Sequence, residues 1–134
     1  SKVLRKRHGY LIVQEDLVGL FLELAQKNGM TLFFGTYDSG VHWMKGEHQA
    51  EIDVNLAFTE EFFERYGKSP AFGGWYISHE INTFDDSVMR VYESLARHLR
   101  SLKKAPILIS PYIRGAKQFG TTIALIEHDM GVVM

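Results

Sequence analysis

Short apolar segments alternate with segments of helical periodicity along this chain, and this alternation constrains the fold more than any other feature. Residues 10–13, 31–36, 72–78 and 106–110 are rich in apolar side chains and predict four strands, with a helix between each successive pair. The loops that lead from strand to helix are polar or aromatic, whereas the return loops are short. The order predicts an α/β fold of parallel βα units with right-handed connections and with its chemistry at one end of the sheet.

Several signals mark where the three predicted helices begin and end. Asp16 is a suitable N-cap for the first helix, Gly29 and Gly67 end the first and second helices, and residues 83–86 have the pattern of a capping box before the third. The apolar stripes expected to face the core are Leu17, Leu20, Phe21, Leu24 and Ala25 in the first helix, Val54, Phe58, Phe62 and Tyr66 in the second, and Val88, Tyr92, Leu95, Leu99 and Leu102 in the third.

The second predicted strand, 31–36, has few polar residues, so we expect it to be buried on both faces. Residues 37–43 follow it as a predicted loop with aspartate, serine, histidine, tyrosine and tryptophan side chains. Loops of this length usually serve a function or are disordered, and disordered segments seldom carry tryptophan. The composition therefore favours a functional loop.

A candidate site follows the third predicted strand. Gly73 and Gly74 permit close approach of another backbone, and His79, Glu80 and Asn82 come where the strand should end. In α/β proteins with parallel strands, ligands bind at the carboxyl ends of the strands. The functional interpretation is that Glu80 belongs to a ligand site, and the structural alternative is that it caps the next helix or pairs with an arginine.

Composition and charge exclude several classes of function. The net charge is −1, from 15 basic and 16 acidic residues, so no basic face attracts nucleic acid. No apolar run is long enough to span a membrane, so we predict no membrane partner. Cysteine is absent, which excludes disulfides and thiolate chemistry. The hydrophobic share of 46% is sufficient for a packed core.

Metal binding and a serine nucleophile are disfavoured. The side chains that offer metal ligands are His42, His48, Glu51, His79 and Glu80. They show no His-Glu-x-x-His or paired-cysteine spacing, so we predict neither a metal nor a cofactor. A triad of Ser39, His79 and Asp38 lacks the Gly-x-Ser-x-Gly elbow that would present its serine.

Residues 16–119 resemble the DUF4434 family, a bacterial family of glycoside-hydrolase-like TIM barrels. The resemblance lies in residues 29–40, in 72–81, which is its most specific part, and in 109–112. It implies a partial, or half, TIM barrel that processes sugars, with Glu80 as the acid/base carboxylate at the end of about the fourth barrel strand. The residues themselves assign no cellular compartment, and the resemblance implies an exported or periplasmic protein.

The predicted site needs a second carboxylate and surfaces that bind a sugar. Glycoside hydrolysis uses two carboxylates, and Asp38 is the second candidate. Two interpretations of Arg114 stay open: it pairs with Glu80, or it is an ordinary surface residue. For the aromatic side chains, stacking on a sugar ring and packing in the core remain equal alternatives. The predicted carbohydrate-binding residues are Tyr37, Trp43, Trp75, Tyr76, His79, Tyr112 and Arg114.

The chain changes character after residue 119. Residues 120–130 resemble the strand and switch-histidine segment of ABC-transporter ATPases, which implies contact between His128 and a nucleotide, although the chain has no phosphate loop. We therefore predict two segments, a partial-barrel domain over 1–119 and a terminal strand segment over 120–134 on the same sheet.

Two further functions stay open beside the glycoside-hydrolase hypothesis. A non-catalytic half-barrel, as a fragment or chimera, would leave strand edges uncovered, so we expect a homo-oligomer. A nucleotide-binding module is the weakest hypothesis.

Overall fold

The computed structural model describes residues 16–80 and 85–110. Its elements in chain order are α1 (Leu17–Lys27), β1 (Leu32–Gly35), α2 (Val41–Met44), α3 (His48–Tyr66), β2 (Phe72–Ile77), α4 (Asp86–Leu102) and β3 (Ile107–Ile109). The strand predicted at 10–13 and the strand segment predicted over 120–134 lie outside the described residues, and the proposed division at residue 119 stays a prediction.

The three described strands form one parallel sheet in the order β1-β2-β3. Phe34 lies opposite Trp75 in the first pair, and Ile77 lies opposite Ile109 in the second. Strands that follow one another in sequence are therefore neighbours in space, as in a βα barrel. This arrangement confirms the predicted α/β class built from parallel βα units, and it is consistent with part of a barrel.

An aromatic cluster between the sheet and α3 forms the centre of the core. The rings of Phe34 and Phe62 stack with their centroids 3.6 Å apart, and Phe62 meets Phe72 edge-on at 5.0 Å. Trp75 meets Phe72 edge-on at 4.8 Å and is 0% exposed. Burial of such large apolar rings supplies much of the driving force for folding.

The neighbouring strands approach Gly74 so closely that a side chain would not fit at this position. A Cβ at this position would lie 2.5 Å from Cε1 of Phe33 and 2.5 Å from the carbonyl oxygen of Pro106. The Pro106 oxygen is a backbone atom that also accepts a hydrogen bond from the amide of Trp75 at 3.0 Å, so it is fixed in place. The close approach predicted from the glycine pair is therefore confirmed at Gly74.

The helix ends follow the sequence signals. The Asp16 carboxylate caps α1 by accepting a hydrogen bond from the Gly19 amide at 3.0 Å, and the Tyr66 hydroxyl donates to the same carboxylate. These bonds, with that of Tyr66 first, hold the pKa of Asp16 below its usual range. Gly29 follows α1 with a φ of 64°, which few other residues adopt. Asp85 caps α4 by accepting from two backbone amides at 2.9 Å.

Three predictions about burial and loops are wrong. Ala25 is the one buried member of the stripe predicted for α1, and its other four members are exposed. The second buried residue of α1 is Leu22, which the predicted stripe did not include. β1 is half-buried along its length, because it is an edge strand of the described sheet. The predicted loop 37–43 contains the start of α2. Among the described residues, no helix is long and apolar enough to cross a membrane.

Candidate functional site

Side-chain hydrogen bonds continue the pairing of β1 and β2 past their carboxyl ends. The Thr36 amide donates to the Tyr76 carbonyl at 2.8 Å, which extends the ladder by one residue. The Ser78 amide then donates to Thr36 Oγ1 at 3.0 Å, and Ser78 Oγ donates to the Thr36 carbonyl at 2.5 Å. The two strands therefore remain together at the point where the predicted site begins.

Side chains alternate between two faces from residue 75 to residue 80. The buried set is Trp75, Ile77 and His79, and the more accessible set is Tyr76, Ser78 and Glu80. The buried set faces the helices, since both its first and its last member contact α3. Glu80 therefore shares a face with Tyr76 and Ser78, as the alternation of side chains along a strand requires.

Glu51 is a buried carboxylate at the centre of this region. Its Oε1 accepts hydrogen bonds from the Ser39 amide at 3.0 Å and from His79 Nε2 at 2.7 Å, and its Oε2 accepts from the Ser39 hydroxyl. Burial alone would raise the pKa of Glu51, but these hydrogen bonds outweigh burial and hold the pKa below its usual range. Glu51 is therefore ionised at neutral pH.

His79 is held at both its side chain and its backbone. Its ring lies edge-on to Trp43, with centroids 4.8 Å apart, and the hydroxyl of Tyr92 donates to its carbonyl oxygen. Within the described part of the chain, Nδ1 of this histidine has no hydrogen-bond partner. Burial, and after it the charges of Tyr76 and Glu80, raise the pKa of Tyr92, so the hydroxyl stays protonated and remains a donor.

Asn55 fixes the loop that follows β1. Its side-chain oxygen accepts from the Tyr37 amide at 2.8 Å, and its side-chain nitrogen donates to the Tyr37 carbonyl at 2.8 Å and to the Glu51 carbonyl at 3.0 Å. Tyr37 therefore has both of its backbone polar groups bonded to one buried amide. The next residue, Asp38, is exposed, and its Oδ1 accepts from the Gly40 amide at 2.7 Å.

The structure places most of the predicted site residues at the carboxyl end of the sheet. Tyr37 and Asp38 follow β1, Tyr76 and Glu80 lie at the end of β2, and Trp43 lies in α2. Glu80 is exposed, and its charge acts on the Tyr92 hydroxyl. The predicted residues Tyr112 and Arg114 lie outside the described residues.

Two predicted carbohydrate-binding residues are buried instead. Trp75 is enclosed by other aromatic rings of the core, so its faces pack against protein. His79 is also 0% exposed, and its Nε2 is used by Glu51. Neither side chain is accessible to a sugar in this structure, because the alternation along β2 turns both of them toward the helices.

Three side chains form a group with the donor atoms of a metal site. One ligand atom each of Asp38, Glu51 and His79 lies within 4.8 Å of the other two. The combination of carboxylate oxygens and an imidazole suits a divalent transition metal. Both oxygens of Glu51 already accept hydrogen bonds from Ser39 and His79, which accounts for the close approach of Glu51 and His79 without an ion.

One feature of α3 in the sequence indicates that Glu51 is buried and bonded. The buried face of α3 carries polar residues at helical spacing where apolar residues would be expected, namely Glu51, Asn55 and Thr59, ahead of Phe62. Polar groups are buried only when they have hydrogen-bond partners, so such a stripe predicts contact with a loop or strand end. The partners themselves are distant in sequence and were not predictable.

A search of solved structures finds a similar protein, a "putative alpha-L-fucosidase" from Bacteroides thetaiotaomicron. It shares 35% sequence identity with this chain, with a TM-score of 0.71. The match covers 81% of this chain and 34% of that one, so the chain spans about a third of the length of the Bacteroides protein. No curated protein matches the chain.

A comparison with protein families identifies a domain of unknown function, DUF4434, over residues 1–132. The match is wider than the predicted 16–119 and continues through most of the segment after residue 119. The resemblance of that segment to ABC-transporter ATPases has no support from the comparisons. With almost its whole length matched, the chain belongs to the DUF4434 family.

Proposed function

We propose that this chain is a carbohydrate-active domain of glycoside-hydrolase type in which Glu80 is the acid/base carboxylate. The observation that carries the proposal is the position of Glu80, an exposed carboxylate just past the end of β2 and on the face opposite the core. Catalytic residues of βα barrels lie at this end of the strands. The similarity to the Bacteroides protein supports the same reaction class.

Asp38 is the proposed second carboxylate. It is exposed and follows β1, which is the direct neighbour of β2 in the sheet. One carboxylate donates a proton to the departing oxygen, while the other attacks the sugar or activates water. Tyr37, Trp43 and Tyr76 are half-buried, so part of each ring is accessible to a sugar.

The test uses aryl glycosides that differ in the acidity of the leaving group, starting with α-L-fucosides because of the name of the Bacteroides protein. A general acid contributes about 10²–10⁴-fold to rate. Glu80→Gln should therefore lose about that much activity on a phenyl glycoside and far less on a dinitrophenyl glycoside, whose leaving group needs no proton. Equal losses on both substrates, or activity unchanged by Glu80→Gln, would refute the assignment.

The second candidate function is a non-catalytic half-barrel that associates with another copy of itself. The observation that favours it is the uncovered apolar surface of α1, where Leu20 is 45% and Phe21 is 55% exposed. Ile109 in β3 is also 41% exposed. Apolar surface of this kind commonly marks an interface. A chain of this class would show stable self-association and no turnover of any glycoside.

A further inference from the structure

One buried carboxylate contacts both of the loops that carry the proposed catalytic residues. Glu51 accepts two hydrogen bonds from Ser39, which directly follows Asp38. It also accepts a hydrogen bond from His79, which directly precedes Glu80. The two loops lie 40 residues apart in sequence and meet at this one side chain, which is 0% exposed.

The helix that presents Glu51 is itself fixed against the first loop. Glu51 lies in the first turn of α3, and Asn55, one turn later, binds the amide and carbonyl of Tyr37. The second loop has an additional attachment, because Tyr92 of α4 donates to the carbonyl of His79. The bonds to Glu51 are thus part of a connected network. Among the described residues, hydrogen bonds between Thr36 and Ser78 join the two loops where they leave the strands, and Glu51 joins them again beside Asp38 and Glu80.

Glycoside hydrolysis depends on the separation of its two carboxylates, and a connection between their loops affects that separation. The separation of the two carboxylates is roughly 5 Å in retaining enzymes and roughly 6.5–9.5 Å in inverting enzymes. A misplacement of about 1 Å can cost about 10²-fold in rate. The Asp38 carboxylate accepts a hydrogen bond from the Gly40 amide of its own loop, and Glu80 is exposed at the end of the other loop. The separation of the two carboxylates therefore depends on how the two loops are held relative to each other.

We infer that Glu51 is a positioning residue that sets the separation of Asp38 and Glu80 by binding Ser39 and His79 together. This inference rests on the proposed function for its catalytic meaning. Its structural content, a defined separation that depends on Glu51, is measurable without any substrate.

The absence of cysteine makes a direct distance measurement practical. Asp38→Cys and Glu80→Cys introduce the only two thiols, and spin labels on them report their separation by dipolar broadening. We expect a narrow distribution of distances when Glu51 is present and a broad or shifted one in Glu51→Gln. Glu47→Gln is the matched control, because Glu47 also binds a histidine, His42, but at the surface.

Ser39→Ala is the second variant, and it keeps the test decisive if Glu51→Gln does not fold. It removes the hydroxyl donor to Glu51 and leaves the Glu51–His79 pair in place. Circular dichroism establishes that each variant is folded. A broadened distribution in the folded variants supports the inference, and a distribution identical to that of the parent overturns it.

Kinetics supply the second readout and separate this inference from the proposed function. If the parent chain hydrolyses a glycoside, Glu51→Gln should lower kcat by about 10²-fold with KM little changed. Loss of substrate binding with kcat retained would contradict a positioning role. If the parent hydrolyses nothing, the proposed function fails, whereas the label distances still decide whether Glu51 sets the separation.

Discussion

Glu51 and His79 are joined by a 2.7 Å bond between Oε1 and Nε2, although they lie 28 residues apart in sequence. Both side chains are wholly buried. The only other described Glu–His pair, Glu47 with His42 at 2.5 Å, lies at the surface. Removal of one partner from a buried pair leaves the other polar group buried without its partner, which destabilises the fold. Surface pairs contribute little to stability.

Glu51→Gln should lower the free energy of unfolding at neutral pH by about 3 kcal/mol, because it removes the charge from a buried network. The folded state lowers the pKa of Glu51, so the stabilisation is complete above the ordinary glutamate pKa of about 4.3 and is lost as pH falls through the lower folded value. The difference between parent and variant should therefore shrink in acid.

Urea unfolding from neutral pH to well below the ordinary glutamate pKa of about 4.3 tests this dependence. Glu47→Gln is the control, and we expect it to change stability little at any pH because Glu47 is exposed. A Glu51→Gln variant as stable as the parent at neutral pH, or a difference that grows in acid, would contradict the prediction.

Gly74→Ala should destabilise the protein by about 1–3 kcal/mol through overpacking. The new methyl group would lie 2.5 Å from the Pro106 carbonyl oxygen, a backbone atom within the sheet. Gly35→Ala in the adjacent strand is the control, since its nearest neighbour, Cδ1 of Tyr76, would lie at an ordinary 3.6 Å. Thermal unfolding of both variants checks the contrast, and equal melting temperatures would be inconsistent with it.

The strands and helices were predictable because each depends on residues that are close in sequence. Asp16 and Gly29 bound α1 through contacts within a few residues. The position of Glu80 was also predictable, because it depends only on a strand ending nearby and on side-chain alternation. Local periodicity therefore accounts for the order of elements and for the place of the candidate site.

Contacts between distant segments were not predictable. Helical spacing shows that Leu20 and Phe21 lie on an apolar side of α1 but not whether anything covers them, and in the structure both are exposed. Trp75 and Tyr76 are adjacent aromatic residues with similar strand preference, and only the position of α3 decides that Trp75 packs in the core. The Glu51 network likewise depends on two loops that meet at α3.

The exposed apolar row of α1 leads to the last prediction. Leu17, Leu20, Phe21 and Leu24 are 44%, 45%, 55% and 45% exposed. They lie three and four residues apart on a helix and so form one surface. We expect the chain to form a dimer or a larger homo-oligomer through this surface, since burial of apolar area favours association.

Leu20→Lys combined with Phe21→Glu should shift the protein to a monomer in light scattering while circular dichroism stays that of a folded chain, because neither residue is buried. Met44→Lys is the matched control: Met44 is 82% exposed and belongs to α2, so its replacement should leave assembly unchanged. A parent chain that is monomeric at high concentration would refute self-association. Equal assembly of parent and double variant would instead show that another surface, such as the exposed Ile109 edge of β3, mediates it.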